Sequence, residues 1–344
     1  MLCAARCGGQ MTEREAILLV RLDGIGDAAL CVPALEGLRR AFPDAAFGAV
    51  CSRANAALFS NVISRIHVYD PAQPEVSLRD ELAEGAYTRA LIATEEVAGY
   101  KLGSLSGAKR RAGFWHGLQK PFKSLWQRSQ LTDPVYRPAA WVNRPEHEVV
   151  TMYRLAAVLG AHDPVPCEAS ALHAWLNAQA SAASEVATGA LGFQITPKLL
   201  TGGWGPTALA RLVTIAFESS GSRRAVLVAS ARDEALACSV LENVPAALRV
   251  AGRIRLVCDL ALPQWLGVLG SVTALVTPDT GAAHVAGMQG LAVVDLFDED
   301  GFERLSQQWH PWAGAHRCLA KPPWRAGVES TFGQRIGHAL LEVT

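Results

Sequence analysis

Apolar residues along this chain alternate between short unbroken runs and stripes with helical spacing. Ile17-Leu-Leu-Val-Arg-Leu leads straight into Asp23-Gly24-Ile25-Gly26-Asp27, an apolar run closed by a glycine loop, which predicts a strand buried on both faces. Pro33 then opens a stripe of Ala34, Leu35, Leu38, Ala41 and Phe42, the pattern of a helix with proline in its first turn. Strands are predicted at 47–51 and 89–94, and a helix at 147–159. A stretch rich in Ala, Ser, Pro and His follows Gly160, and the alternation then restarts. It predicts strands at 191–196, 225–230, 254–258, 274–277 and 291–297, with helices at 206–220, 233–242, 263–269 and 282–289. Strands alternating with helices imply parallel sheets covered on both faces. Two such sets imply an α/β chain of two doubly wound, Rossmann-like domains facing across a cleft, where ligands bind.

The boundaries follow from the same pattern. Residues 1–14 read as a disordered tail containing a second candidate start, Met11; 15–165 form an N-terminal domain, 166–188 a linker and 189–344 a C-terminal domain. A length of 344 residues suits two domains. Thirty-two basic residues balance 32 acidic ones, so there is no overall positive field for nucleic acid. The longest apolar run, near Trp265 to Val276, is shorter than the roughly 20 residues a bilayer span needs. The first ten residues lack the apolar core of an export signal. Eight cysteines are scattered with no C-x-x-C pair, which points to reduced thiols and a cytoplasmic protein.

Several segments carry candidate chemistry. Gly24-Ile25-Gly26-Asp27-Ala28-Ala29 fits the G-x-G-x-x-A dinucleotide pattern, yet the second strand ends in Ser52-Arg53 without the acid that holds a ribose. An NADP-dependent oxidoreductase is therefore one alternative. Asp27 is otherwise either a helix cap or a working carboxylate that takes a proton from a sugar hydroxyl. In Pro278-Asp279-Thr280-Gly281-Ala-Ala-His284, the backbone N–H groups at a helix start suit a phosphate, with Thr280 and His284 as added donors. Thr196-Pro-Lys198 and Thr201-Gly202-Gly-Trp204-Gly-Pro206 form a loop able to wrap a phosphate with amides, hydroxyls and a lysine. Asp298-Glu-Asp300 has the D-x-D form that carries Mg²⁺ in some sugar transferases, and equally the form of an ordinary acidic loop. Over 109–128, Lys109, Arg110, Arg111, Lys120, Lys123 and Arg128 interleave with Phe114, Trp115, Phe122 and Trp126. That mixture is either a solvated face or a surface for an anionic membrane or phosphorylated glycolipid.

Taken in order from about residue 15 to 320, these motifs resemble glycosyltransferase family 9, the ADP-heptose:lipopolysaccharide heptosyltransferases. The likeness rests on the run from Ile17 to Asp27 with Pro33-Ala-Leu, on Asp279-Thr-Gly-Ala-Ala-His284, and on Gly290-Leu-Ala-Val-Val-Asp-Leu-Phe297. His147-Glu148 and Trp204-Gly-Pro206 lie between them as looser landmarks. The resemblance implies a GT-B fold, with an acceptor domain in front and a nucleotide-sugar domain behind. It implies inverting transfer of a heptose from ADP-heptose to a lipopolysaccharide-core or related acceptor, at the inner membrane, with no metal or other cofactor required. On this resemblance Asp27 is the base, Asp279, Thr280, Gly281 and His284 hold the donor, and Thr196 binds phosphate. Glu234 would hold the ribose and Leu260 would lie against adenine, while Lys109, Arg110, Arg111, Trp115, Lys120 and Lys123 would face the acceptor or membrane. Two departures stand out: Gly202 replaces the family's phosphate-neutralising lysine, and Asp298-Glu-Asp-Gly follows Phe297 where the family has small residues. They leave open a variant donor, another acceptor, or a catalytically inactive paralogue that only binds nucleotide-sugar.

Overall fold

Residues 14–119, 121–138 and 145–344 are described by the computed structural model, and they form two sheets of six parallel strands. The first contains β1 (Ala16–Arg21), β2 (Ala46–Ser52), β3 (Arg65–Tyr69), β4 (Arg89–Ile92), β5 (Arg110–Trp115) and β6 (Asp133–Tyr136), in the order 3-2-1-4-5-6. The second contains β7 (Leu191–Gln194), β8 (Ala225–Val228), β9 (Ile254–Val257), β10 (Ala274–Pro278), β11 (Ala292–Asp298) and β12 (His316–Lys321), in the order 9-8-7-10-11-12. Each sheet thus reverses direction beside its first strand, between β1 and β4 and between β7 and β10. Ligands of open α/β sheets bind at such switch points, outside the carboxyl ends of the strands. Asp27 follows β1, Thr196 follows β7 and Thr280 follows β10, so the topology carries all three toward one crevice.

The predicted strands and helices lie within a few residues of where the pattern puts them. The pattern does not predict β3, β5, β6, β12, the last helix Val328–Val343, or the helices Val97–Leu105, Pro121–Ser129 and Phe302–Trp309, among others. β5 is hidden by its charges: Arg110-Arg111 opens the strand, and burial is complete only from Ala112 to Phe114. Arg110 pairs with Asp133 of β6 at 2.5 Å, and Arg111 reaches the carbonyls of Ala108 and Gln130 at 2.7 and 2.8 Å. β12 is an edge strand of middling burial with no alternation to betray it. The helix Val328–Val343 lies on Pro206–Ser219, where a Cβ on Gly333 would sit 2.9 Å from that of Ile215, so only glycine permits the approach.

The segment 166–188, expected as a linker, carries two short helices, Ala169–His173 and Ala182–Ala187. Trp175 between them is buried, edge-on to Phe47, and its indole N–H donates to Glu36 Oε2 at 3.0 Å. Asn177 N–H donates to Leu58 O of the first domain at 2.9 Å, and Gln179 N–H to Pro263 O of the second at 2.8 Å. The expected tail, 1–14, lies outside the described residues except for Arg14, whose Nε donates to Asp44 O. Among the described residues no helix is long and apolar enough to cross a membrane.

Candidate active site

β1 ends on Arg21, a cation at the carboxyl edge of a strand that is otherwise apolar and buried. Its guanidinium donates to Ala93 O and stands 2.8 Å from Asp27 Oδ1 and 3.2 Å from Asp23 Oδ2. The chain turns at Gly24, and Asp27 enters the short helix Ile25–Ala29 without capping it. Asp27 is therefore a partly exposed carboxylate braced from behind by a buried cation.

The opposite wall comes from the second domain. Thr280 precedes the helix Gly281–Met288 in extended conformation, and its hydroxyl is 3.1 Å from that of Thr277. This helix is small and apolar and is buried along most of its length, which lets its first turn come close to the other domain. A Cβ on Gly26 would stand 2.8 Å from Gly281 Cα and 3.1 Å from His284 Cδ2. Two glycines therefore let backbone meet backbone across the domains. His284 is buried, its Nδ1 has no partner among the described residues, and burial drives its pKa down from the ordinary imidazole range to about 4. It is a neutral ring in this site.

Between these walls lies a cleft of about 680 Å³, lined among others by Asp27, Thr196, Asp279, Thr280, Gly281 and His284. The front-domain aspartate and the rear-domain helix start thus share one cavity. Lys198 stands next to the cleft through Asp279, which lines it: its ammonium reaches Asp279 Oδ2 at 2.8 Å and also the Asp279 carbonyl. Thr201 is used elsewhere. Its hydroxyl donates to Asp298 at 2.7 Å, and buried Lys321 bonds Thr201 Oγ1 and Asp298 Oδ1, both at 2.9 Å. Asp298 is thereby neutralised and held by protein groups. Gly202 stands in the left-handed region at φ 75°, where a Cβ would press within 3.2 Å of Pro323 Cα, so a lysine there would be strained.

Glu234 is exposed at the start of the helix Glu234–Asn243, with its Oε1 3.4 Å from the Cys258 sulfur. Leu260 packs half-buried against a small apolar cluster that includes Val228 and Val257. Neither lines the cleft, whereas the neighbouring Arg232 and Asp233 do, together with Gln194, Trp265 and Trp309. Sequence reasoning missed these five. Arg232 and Asp233 follow β8 on the binding edge of the sheet, a signal that strand order would have supplied; Trp309 carries no local signal.

The basic stretch is divided. Arg110 and Arg111 are tied to partners as described above, Trp115 packs edge-on to Tyr136, and Lys109 and Lys123 are exposed. Lys120 lies outside the described residues. Beside Lys123, Leu118 and Phe122 are more than four-fifths exposed, an apolar tip on the first domain.

No protein-family model matches the sequence, and no curated protein matches it. Solved structures match nearly end to end. Heptosyltransferase II of Escherichia coli, an ADP-heptose lipopolysaccharide enzyme, aligns at a TM-score of 0.72 and 16% identity, over 95% of this chain and 98% of that one. The Escherichia coli heptosyltransferase WaaC with ADP gives 0.73 and 16% over 96% and 100%. A glycosyltransferase family 9 structure from Veillonella parvula gives 0.73 and 16% over 96% and 98%. A UDP-GlcNAc 2-epimerase from Methanocaldococcus jannaschii follows at 0.53 and 11%. The chain therefore has the two-domain GT-B fold, in the arrangement seen in the heptosyltransferase structures.

Proposed function

We propose that this chain is an inverting glycosyltransferase that moves a sugar, a heptose carried on ADP, to a hydroxyl of a glycan acceptor. The observation that carries the reading is the single cleft in which Asp27 faces the start of the helix Gly281–Met288. Asp27 takes the proton of the acceptor hydroxyl as its oxygen attacks the anomeric carbon from the face opposite the nucleotide. The bond from that carbon to the diphosphate breaks, and its electron pair leaves with ADP. Negative charge then grows beside the N–H groups of Gly281 and Ala282 and the Thr196 and Thr280 hydroxyls that line the cleft, with the Lys198 ammonium bound to Asp279 of the same lining. His284 supplies a neutral donor. Arg232 adds a cation on the same cleft.

The fold of the ADP-bound heptosyltransferase supports ADP as the nucleotide, and no step calls for a metal or other cofactor. The exposed Leu118 and Phe122 with Lys123 support peripheral contact of the first domain with an anionic membrane. Two alternatives are separated by the same measurements. A thermal-shift panel of ADP, ADP-heptose, UDP-GlcNAc and NADPH is expected to stabilise the protein with the adenine diphosphates alone. Release of ADP from ADP-heptose, abolished by Asp27→Asn, supports transfer; binding without turnover identifies an inactive nucleotide-sugar-binding paralogue. Stabilisation by NADPH instead overturns the reading in favour of an oxidoreductase.

A further inference from the structure

Behind Asp27 a second cavity, of about 230 Å³, opens inside the first domain, and Asp27 and Trp309 line both spaces. A molecule seated there touches Asp27 among residues that, Trp309 apart, all come from the first domain, a place suited to an acceptor. Its charged lining consists of Arg21, Asp23, Asp27, Glu95, Arg137 and Glu148, with Thr94 as a further polar group. Each guanidinium is divided between two carboxyls. Arg21 lies 2.8 Å from Asp27 and 3.2 Å from Asp23, and Arg137 lies 3.0 Å from Glu148 and 3.5 Å from Glu95. Exposure decides which charge a ligand meets. The side chains of Asp23, Asp27 and Glu95 are 31%, 39% and 45% exposed, those of Arg21 and Arg137 only 6% and 22%. Both kinds of group line the cavity, but Asp23, Asp27 and Glu95 are the more exposed partners in their pairs and the guanidiniums the more buried. His116, 3.4 Å from Glu95, helps to hold that carboxyl down at about 2, so it presents charge throughout the neutral range.

From this arrangement we infer that the acceptor's reacting residue is an uncharged, polyhydroxylated sugar ring bearing no phosphate or carboxylate. Hydroxyls donate to carboxylate oxygens, whereas an anionic group needs uncommitted cationic donors and would instead face three exposed carboxylates. Trp309 offers its ring as a wall for the apolar face of such a sugar. Any anionic part of a larger acceptor then lies outside this cavity. The assignment rests on Asp27 being the base.

The test titrates the full chain, with and without ADP, by saturation-transfer NMR. The probes are the methyl α-glycosides of mannose, glucose and galactose, each paired with its 6-phosphate. At least one neutral glycoside is expected to bind about tenfold or more tighter than its phosphate. Glu95→Gln, checked for folding by its melting curve, should narrow that ratio to about threefold or less, and Trp309→Ala should weaken the neutral glycoside. Equal or tighter binding of the phosphates overturns the proposal, and so does failure of every neutral glycoside to bind. ADP binding is read in the same samples. Loss of ADP binding with the neutral preference intact removes the transferase reading and leaves the cavity's selectivity standing, and the reverse result removes only the inference.

Discussion

Gly26 and Gly281, 255 residues apart in sequence, bring the backbones of the two domains so close that a single methyl group on Gly26 would stand 2.8 Å from Gly281 Cα. The obstacle is main chain, which cannot rotate aside. Gly26→Ala is therefore expected to hold the domains apart and to lower transfer by about tenfold or more, because misplacing reacting groups by an ångström is enough. The core is continuous across the seam, with Leu266, Val285 and Met288 clustered with first-domain residues, so the urea midpoint should fall as well. Small-angle scattering should show a larger radius; an unchanged radius with full activity would refute the account.

Arg21 stands 2.8 Å from Asp27 Oδ1. Arg21→Gln strips two carboxylates of their buried counter-charge and is expected to cost about 3 kcal/mol of stability, read by urea unfolding. If Arg21 positions the base, kcat falls while KM for the nucleotide-sugar stays near the wild-type value. Asp27→Asn should lower kcat by a factor of about 100 to 10,000, with nucleotide binding retained. A kcat for Asp27→Asn equal to wild type would rule out the base.

His147 and His284 give the fold an acid limit. Burial lowers both rings from near 6.5 to about 4. The unfolded chain binds those protons first as pH falls, so the stabilising contribution is complete above about 6.5 and drains away between 6.5 and 4. Between pH 7 and 5 the loss should be on the order of 2 kcal/mol per ring. His147 also caps the helix Glu148–Leu159 by accepting from Val149 N–H at 3.1 Å, a task asparagine performs equally well. His147→Asn should therefore remove one ring's share of the pH dependence of the urea midpoint between 7 and 5, with His284 keeping the rest. An unaltered slope would contradict this assignment.

Lys321 is buried against Thr201 and Asp298. Asp298→Ala removes its counter-charge and should lower stability by about 2 kcal/mol. The loss should be the same with Mg²⁺ or with a chelator, since the aspartate is bound to protein groups. A Mg²⁺-dependent difference in melting temperature would restore the D-x-D metal reading.

Much of the site was legible because its residues sit beside motifs with mechanical causes. A buried strand ending in Asp23-Gly-Ile-Gly-Asp27, and another ending in Pro278-Asp-Thr-Gly281, announce carboxyl-end loops, and those loops meet. Lys198 was harder to place: its reach depends on the turn Pro197–Gly203, which no local pattern specifies. Thr201 looked identical to Thr196 in sequence, and only the distant Lys321 separates their roles. Arg110 and Arg111 read as surface charge because their partners, Asp133 and loop carbonyls, come from pairings with β6 that residue periodicity cannot reveal. Trp309 and Arg137 join the site through tertiary placement alone.

The hydrogen bonds at Asn177 and Gln179 leave one residue, Ala178, between a point fastened to the front half and a point fastened to the rear. The covalent crossing is thus pinned on both sides. The halves also share one continuous core, in which Leu266, Val285 and Met288 of the rear half cluster with Leu35, Phe59 and Leu155 of the front, and His147 Nε2 lies 2.8 Å from His310 O. Glycines inserted at Ala178 would therefore lengthen the crossing while the shared core still held the halves together.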